Sequence, residues 1–107
     1  MEKQFIFQNR RKLLKIPMDS IIFMENNRRK VVIHTTDGAF EYYGKLTEAM
    51  NQLDERFVHF HRSYVINIDH VVALKNKTIV LLGCGKIPLG QHSFSRVRNM
   101  LKNQIFS

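Results

Sequence analysis

Lys30-Val31-Val32-Ile33-His34-Thr35-Thr36-Asp37-Gly38-Ala39-Phe40-Glu41-Tyr42-Tyr43 decides the fold class of this chain. Val31, Val32, Ile33 and Thr35 are β-branched, a composition that fits a pleated, half-buried backbone. Asp37-Gly38 supplies a tight turn, because glycine reaches positive φ without strain and aspartate can bond its own backbone. Beyond it, Phe40 and Tyr42 alternate with Glu41 and Tyr43, the period of a strand with one wet face. The stretch predicts a hairpin.

Outward from it, the same signals recur. Gln4 to Phe7 and Arg11 to Lys15 predict an extended pair turning at Asn9, closed off by Pro17-Met18-Asp19-Ser20. Ile21-Ile22-Phe23-Met24 predicts a buried strand, with its turn expected in Glu25-Asn26-Asn27-Arg28, since asparagine tolerates positive φ. After Gly44 the period changes: Leu46, Ala49, Met50 and Leu53 share one helical face, predicting a helix of two to three turns that ends at Asp54 to Arg56. Phe57 to Tyr64 is extended again, Val65 to Asp69 reads as an irregular connection, and Val71–Lys75 and Thr78–Leu82 form a hairpin about Asn76-Lys77. Gly83 and Gly85 mark a third turn, into Lys86–Leu89. From an N-cap at Ser93, Phe94, Val97, Leu101 and Ile105 form the stripe of a second helix. Phe5, Phe7, Phe23, Phe57 and Phe60 alternate with apolar neighbours and are expected in the core. The fold class is mainly β: antiparallel sheets of about ten short strands, with two short helices.

The chain has 107 residues, 44% of them hydrophobic, which is core enough for one small domain and not two. Its longest apolar runs, Val71–Leu74 and Ile79–Leu82, fall far short of the roughly 20 residues of a membrane span, and no N-terminal apolar segment resembles a signal peptide. A cytoplasmic location and no membrane partner are expected. The lone Cys84 excludes an internal disulfide and a multi-cysteine metal site. There is no repeat, low-complexity tract or linker. Lysine and arginine number 17 against 9 acids, giving a net charge of +8. The charge is uneven: from His70 onward there is no acid, while Lys75, Lys77, Lys86, Arg96, Arg98 and Lys102 are present. Further cations cluster at Arg10-Arg11-Lys12 with Lys15 and at Arg28-Arg29-Lys30. Such asymmetry makes a positive face that draws polyanions, nucleic acid foremost.

Enzymatic chemistry has little to build on. His59-Phe60-His61 on a strand would put both imidazoles on one face, with His70, Asp69 or Cys84 as a third metal ligand. Without an adjacent carboxylate cluster, a structural or surface role for this pair is expected. Cys84 sits between two glycines with no helix N-terminus to activate its thiol. Glycine-rich phosphate loops, a GxSxG elbow and paired carboxylates are all missing. No catalytic residue, metal site or cofactor is expected. Nucleic-acid binding finds better material, since Asn26–Lys30, His59–Ser63 and Gly90–Ser93 each mix cations or imidazole with amide or hydroxyl groups at strand ends. No helix-turn-helix pair, zinc-finger spacing or basic zipper is present. The alternatives are a single-strand binder stacking bases on a β platform and a histidine-based metalloenzyme.

Phe57-x-x-x-His61-Arg62-Ser63-Tyr64-x-x-Asn67 resembles the signature of the LytTR DNA-binding domain of bacterial transcription regulators. Upstream, Phe23-Met24-Glu25 and the strand Val31 to His34 are similar to the family's start. Glu41-Tyr42-Tyr43-Gly44-Lys45-Leu46 is particularly like the quorum-sensing regulators of virulence and peptide production, and Ile87-Pro88-Leu89 before a final helix resembles the family's close. The resemblance runs from about residue 12 to 102. It implies an elongated antiparallel β fold whose loops, rather than a helix, enter successive major grooves of a bent duplex to control transcription. It also implies one DNA-binding domain over 1–107 with no receiver domain of the two-component kind, either excised from a longer regulator or free-standing. Carried over by position, the first contact loop is Asn27, Arg28, Arg29 and Lys30, with Arg29 as the main base-contacting residue. The second is Arg62 with Ser63, and the third is Gln91 with His92. The family usually has arginine at the third position, and glutamine there favours adenine over guanine. His61, Tyr64 and Asn67 are expected to be architectural. The implied partners are double-stranded DNA carrying repeated sites and a second copy of the chain, meeting on DNA or through a receiver domain.

Overall fold

A strand with apolar side chains on both faces organises the molecule. It is β3 (Ile21–Asn27), and Ile21, Ile22, Phe23 and Met24 are all buried in it. The computed structural model describes residues 3–83 and 85–106, the side chains of Gln91 and residues 104–106 excepted. Around β3 stand β4 (Lys30–Thr35), β5 (Gly38–Tyr43), β6 (Phe57–His61) and β7 (Tyr64–Asn67), in an antiparallel sheet of order β5-β4-β3-β7-β6. β1 (Gln4–Asn9) and β2 (Lys12–Pro17) form a separate hairpin. β8 (Val71–Lys75), β9 (Thr78–Leu81) and β10 (Gly85–Pro88) form a third sheet, followed by helix α2 (Gln91–Phe106). A single helical turn, α1 (Leu46–Ala49), joins β5 to β6.

Two cores sit on opposite sides of β3. One takes Ile21 and Met24 with Phe5, Phe7, Val31 and Leu46; the other takes Ile22 and Phe23 with Phe60, Ile66, Ile79 and Val97. Strict alternation would pair Ile21 with Phe23 instead. The pairings Ile21↔Thr35 and Phe23↔His34 leave Ile22 as an extra residue, a β-bulge that resets the phase of the strand. The five expected core phenylalanines are all buried, and the hairpin 30–43 forms as its sequence predicts.

Several boundaries differ from the sequence expectation. Val65, Ile66 and Asn67 are not an irregular connection but strand β7, paired with both β3 and β6. A strand buried on both faces carries no polar alternation to betray it. Asn26 and Asn27 belong to β3, and the turn falls on Arg28-Arg29. The first helix shrinks to one turn and tightens into three-residue turns through Leu53. Gln52 meanwhile offers its amide to the edge of β1, accepting from the Ile6 N–H and donating to its carbonyl at 2.9 and 2.8 Å. α2 begins at Gln91, so Ser93 lies inside it and donates to the Phe60 carbonyl rather than capping.

Asn67 is fully buried at the end of β7, where its Nδ2 donates to the Ile21 carbonyl at 2.9 Å and its Oδ1 accepts from the Asp69 N–H at 3.0 Å. Asn67→Ala leaves both backbone groups unpaired beside the bulge and is expected to cost about 1–3 kcal/mol in urea unfolding. Nearby, Arg56 bonds Asp54 at 3.1 Å and pairs with Asp19, while Lys3 reaches Asp54 at 3.4 Å. Desolvation pushes Asp54 up, but the hydrogen bonds and charge of Arg56, with Lys3, outweigh it and hold the carboxyl below its ordinary value. A depressed carboxylate adds stability above its unfolded value, near 3.8, and loses it as pH falls through the folded one. The stability gap between the native chain and Arg56→Met is therefore expected to be wider at pH 7 than at pH 3, as read by paired urea titrations.

Candidate nucleic-acid interface

Antiparallel pairing puts the β3–β4 and β6–β7 turns at the same end of the central sheet. Asn27 pairs with Lys30, so Arg28-Arg29 is a two-residue turn in which Arg28 has φ 61°. Glycine fills that position without strain, and an arginine there costs roughly 1 kcal/mol. The Arg29 carbonyl accepts from the Gly44 N–H at 3.1 Å, which ties the turn to the chain leaving β5. Glycine suits position 44, since a Cβ there would stand 2.7 Å from the Tyr42 ring and force that ring to move.

The second turn is built from its own backbone. His61 pairs with Tyr64, leaving Arg62-Ser63 at the tip. The Ser63 N–H donates to His61 Nδ1 at 3.0 Å, and the Ser63 carbonyl accepts from the Asn26 N–H at 2.9 Å. That last bond joins the two turns, and Arg28, Arg29 and Arg62 line one open groove with Tyr43 and Lys45. His61 thus has the architectural role expected of it, as does Asn67, and Tyr64 stacks on Phe60 at 6.2 Å.

The candidate residues are not equally free. Asn27, Arg28, Arg29 and Arg62 are exposed. Lys30 is half-buried and forms an ion pair with Glu41 at 3.1 Å, whose hydrogen bond and charge raise the ammonium above its ordinary value. Ser63 is half-buried, with both its backbone N–H and carbonyl engaged. The third segment starts a helix rather than forming a loop. Gln91 opens α2, with its side chain outside the described residues, and His92 is exposed in the first turn. The Ser93–Phe60 bond, at 3.3 Å, holds this helix start against the strand that leads to Arg62. Sequence reasoning passed over Tyr43 and Lys45. The signal for Tyr43 was there in the wet side of the β5 alternation, and it is 75% exposed beside the Lys30 ammonium.

The histidines are dispersed in separate local contacts. His34 stacks on Phe23 at 4.2 Å and lies 2.9 Å from Glu25. His70 donates to the Asp19 carbonyl at 2.7 Å. His59 has its Nε2 enclosed while His61 is exposed, because the irregularity of β6 between Val58 and His61 breaks the alternation on which a shared face depends. Among the described residues, no group of three His, Cys, Asp or Glu side chains could hold a metal, and no helix is long and apolar enough to cross a membrane. Cys84 lies outside the described residues.

Residues 11–102 match the family model of the LytTr DNA-binding domain. The chain belongs to that family. The accessory gene regulator protein A of Staphylococcus epidermidis is 32% identical over 89 residues, and that of Staphylococcus aureus 29%, each match covering 81% of this chain. The chain spans about a third, 35%, of the length of these relatives. Among solved structures, the LytTr DNA-binding domain of a putative methyl-accepting/DNA response regulator from Bacillus cereus superposes with a TM-score of 0.76 at 18% identity, covering 94% of this chain and 98% of that one. The LytTr fold, mainly antiparallel β with its two helices, is therefore shared.

In this LytTr domain the Arg62 turn depends on one imidazole. His61→Ala removes the acceptor of the Ser63 N–H at an exposed site where water can replace it. Amide exchange at Ser63 is expected to accelerate severalfold, while global stability changes by less than about 1 kcal/mol.

Proposed function

We propose that this chain binds duplex DNA sequence-specifically through the Asn27–Lys30 and Arg62-Ser63 turns and the start of α2, as the DNA-reading part of a response-regulator-type transcription factor. One observation carries the proposal: the Asn26–Ser63 backbone bond sets two exposed arginine-bearing turns side by side on one groove. Arginine is the side chain whose planar donors match the guanine edge in a major groove. The wider positive charge supplies the phosphate attraction on which such binding rests. Phe5, Phe7, Phe23, Phe57 and Phe60, the strand phenylalanines that a single-strand platform would need, are buried in the two cores, which favours the duplex. On this reading the chain is a binding module rather than an enzyme, and its cellular setting is the cytoplasm.

Within that reading, Arg29 contacts bases, Arg62 supports it from the second turn, and Lys30, held by Glu41, positions rather than reads. The third segment extends the footprint through Gln91 and His92. One chain offers few base contacts, so repeated sites occupied by two copies would gain by effective concentration.

The experiment is selection of bound duplexes from random DNA, followed by affinities for the preferred site and each single-base variant at one salt concentration. Arg29→Ala is expected to cost about 1–3 kcal/mol at one base position and relax the preference there, while Gln91→Arg moves its position toward guanine. Engagement of about six phosphates predicts a slope near −5 for log K against log salt. Equal loss on specific and random DNA in Arg29→Ala, or equal affinity for single strands, refutes this assignment.

A further inference from the structure

The turn of the β1–β2 hairpin repeats the turn proposed above to read DNA. Asn9-Arg10-Arg11-Lys12 and Asn27-Arg28-Arg29-Lys30 are the same four residues. They adopt the same register, with Asn9 paired to Lys12 and Asn27 to Lys30. They also adopt the same turn, since Arg10 has φ 57° and Arg28 φ 61°, while neither second arginine is left-handed. Both tips thus hold arginine where glycine would be free of strain. A strained residue of this kind persists where the surrounding structure holds it in place, and such residues gather at binding sites.

The two tips are also neighbours. Asn9 donates to the Glu41 carbonyl of β5, and Phe7 packs on Tyr42 at 5.2 Å and on Phe40 at 6.2 Å, so the hairpin is fastened to the central sheet. Arg10, Arg11 and Lys12 are exposed and border a groove with Lys30 and Tyr43. Tyr43 and Lys30 in turn border the groove of Arg28 and Arg29, which continues to Arg62. The carboxylate lining this path beside the hairpin, Glu41, is paired with Lys30. Cations therefore run along one side of the molecule from the first hairpin to the β6–β7 turn.

We propose that the Arg10-Arg11 tip is a further DNA-binding site that grips the phosphate backbone beside the two turns assigned to base reading. The proposal rests on the duplex-binding function inferred above. The tip contributes affinity without sequence preference, because phosphates are the same at every base pair.

The test compares the full chain with Arg10→Gly/Arg11→Gln, in which glycine suits the left-handed position and so preserves the turn. A second variant, Lys15→Gln/Lys102→Gln, removes the same charge at exposed positions outside the turns. Affinities for the selected site and for random duplex are measured across a range of salt. The tip variant is expected to bind both duplexes about tenfold more weakly at low salt, and to flatten the slope of log K against log salt by nearly two, at about 0.9 per lost phosphate contact. A loss no larger than that of the second variant overturns the proposal, as does a loss confined to one base position. Duplex binding by the native chain that the tip change leaves intact overturns the tip alone. Absence of duplex binding by the native chain overturns both the tip and the function it rests on.

Discussion

The extra residue at Ile22 is the constraint on which the rest depends. A regular strand would send Ile21 and Phe23 to one side and Ile22 and Met24 to the other. With the bulge, the outer pair and the inner pair face opposite cores. One core carries the first hairpin and α1, and the other carries the third sheet and α2, so the single central sheet can be clothed on both sides. Asn67 answers the polar cost of this arrangement by bonding the Ile21 carbonyl where the strand leaves regular pairing. Removal of apolar surface from water is the dominant favourable contribution to folding, and the bulge decides which side chains of β3 join which core.

The turns follow from the same constraint. Burial of Val31 and Ile33 against Met24 fixes the β3–β4 register, and a register fixed by burial leaves the turn whatever residues remain. Those residues are two arginines, one of them left-handed. Local preference alone would have moved the turn back onto the asparagines. Tertiary burial outweighs the roughly 1 kcal/mol that this choice costs, and an exposed arginine pair at the tip is the outcome.

Much of the fold was legible because it rests on short-range signals. Alternation in Phe40 to Tyr43 and the Asn76-Lys77 turn, with φ of 49° and 59°, are read directly from side-chain preference. β7 was hidden because Val65, Ile66 and Asn67 are all buried, which erases the polar phase that marks a strand. α1 was overestimated because Met50 and Leu53 keep a helical spacing even though the chain tightens past Ala49. At the candidate site, the family motif located Arg62, and charge located Arg28 and Arg29. The Lys30–Glu41 pair and the part played by Tyr43 depend on cross-strand neighbours in β4 and β5, and these need the register before they can be seen. The repeated Asn-Arg-Arg-Lys tip was overlooked because four residues are too short to stand out as a repeat until both copies are seen to turn alike.

The pairing of β3 with β7 joins segments separated by roughly forty residues, whereas the β1–β2, β3–β4 and β4–β5 hairpins close locally. Local hairpins form in microseconds, and a long closure must wait until enough chain has been made and ordered. During synthesis the Arg28-Arg29 tip can therefore exist well before Arg62 is brought beside it. A ribosome-bound fragment ending before Tyr64 carries both arginine turns in sequence but lacks their pairing. The side-by-side placement of the two arginine turns is thus acquired late, at the moment the sheet's most distant partners meet.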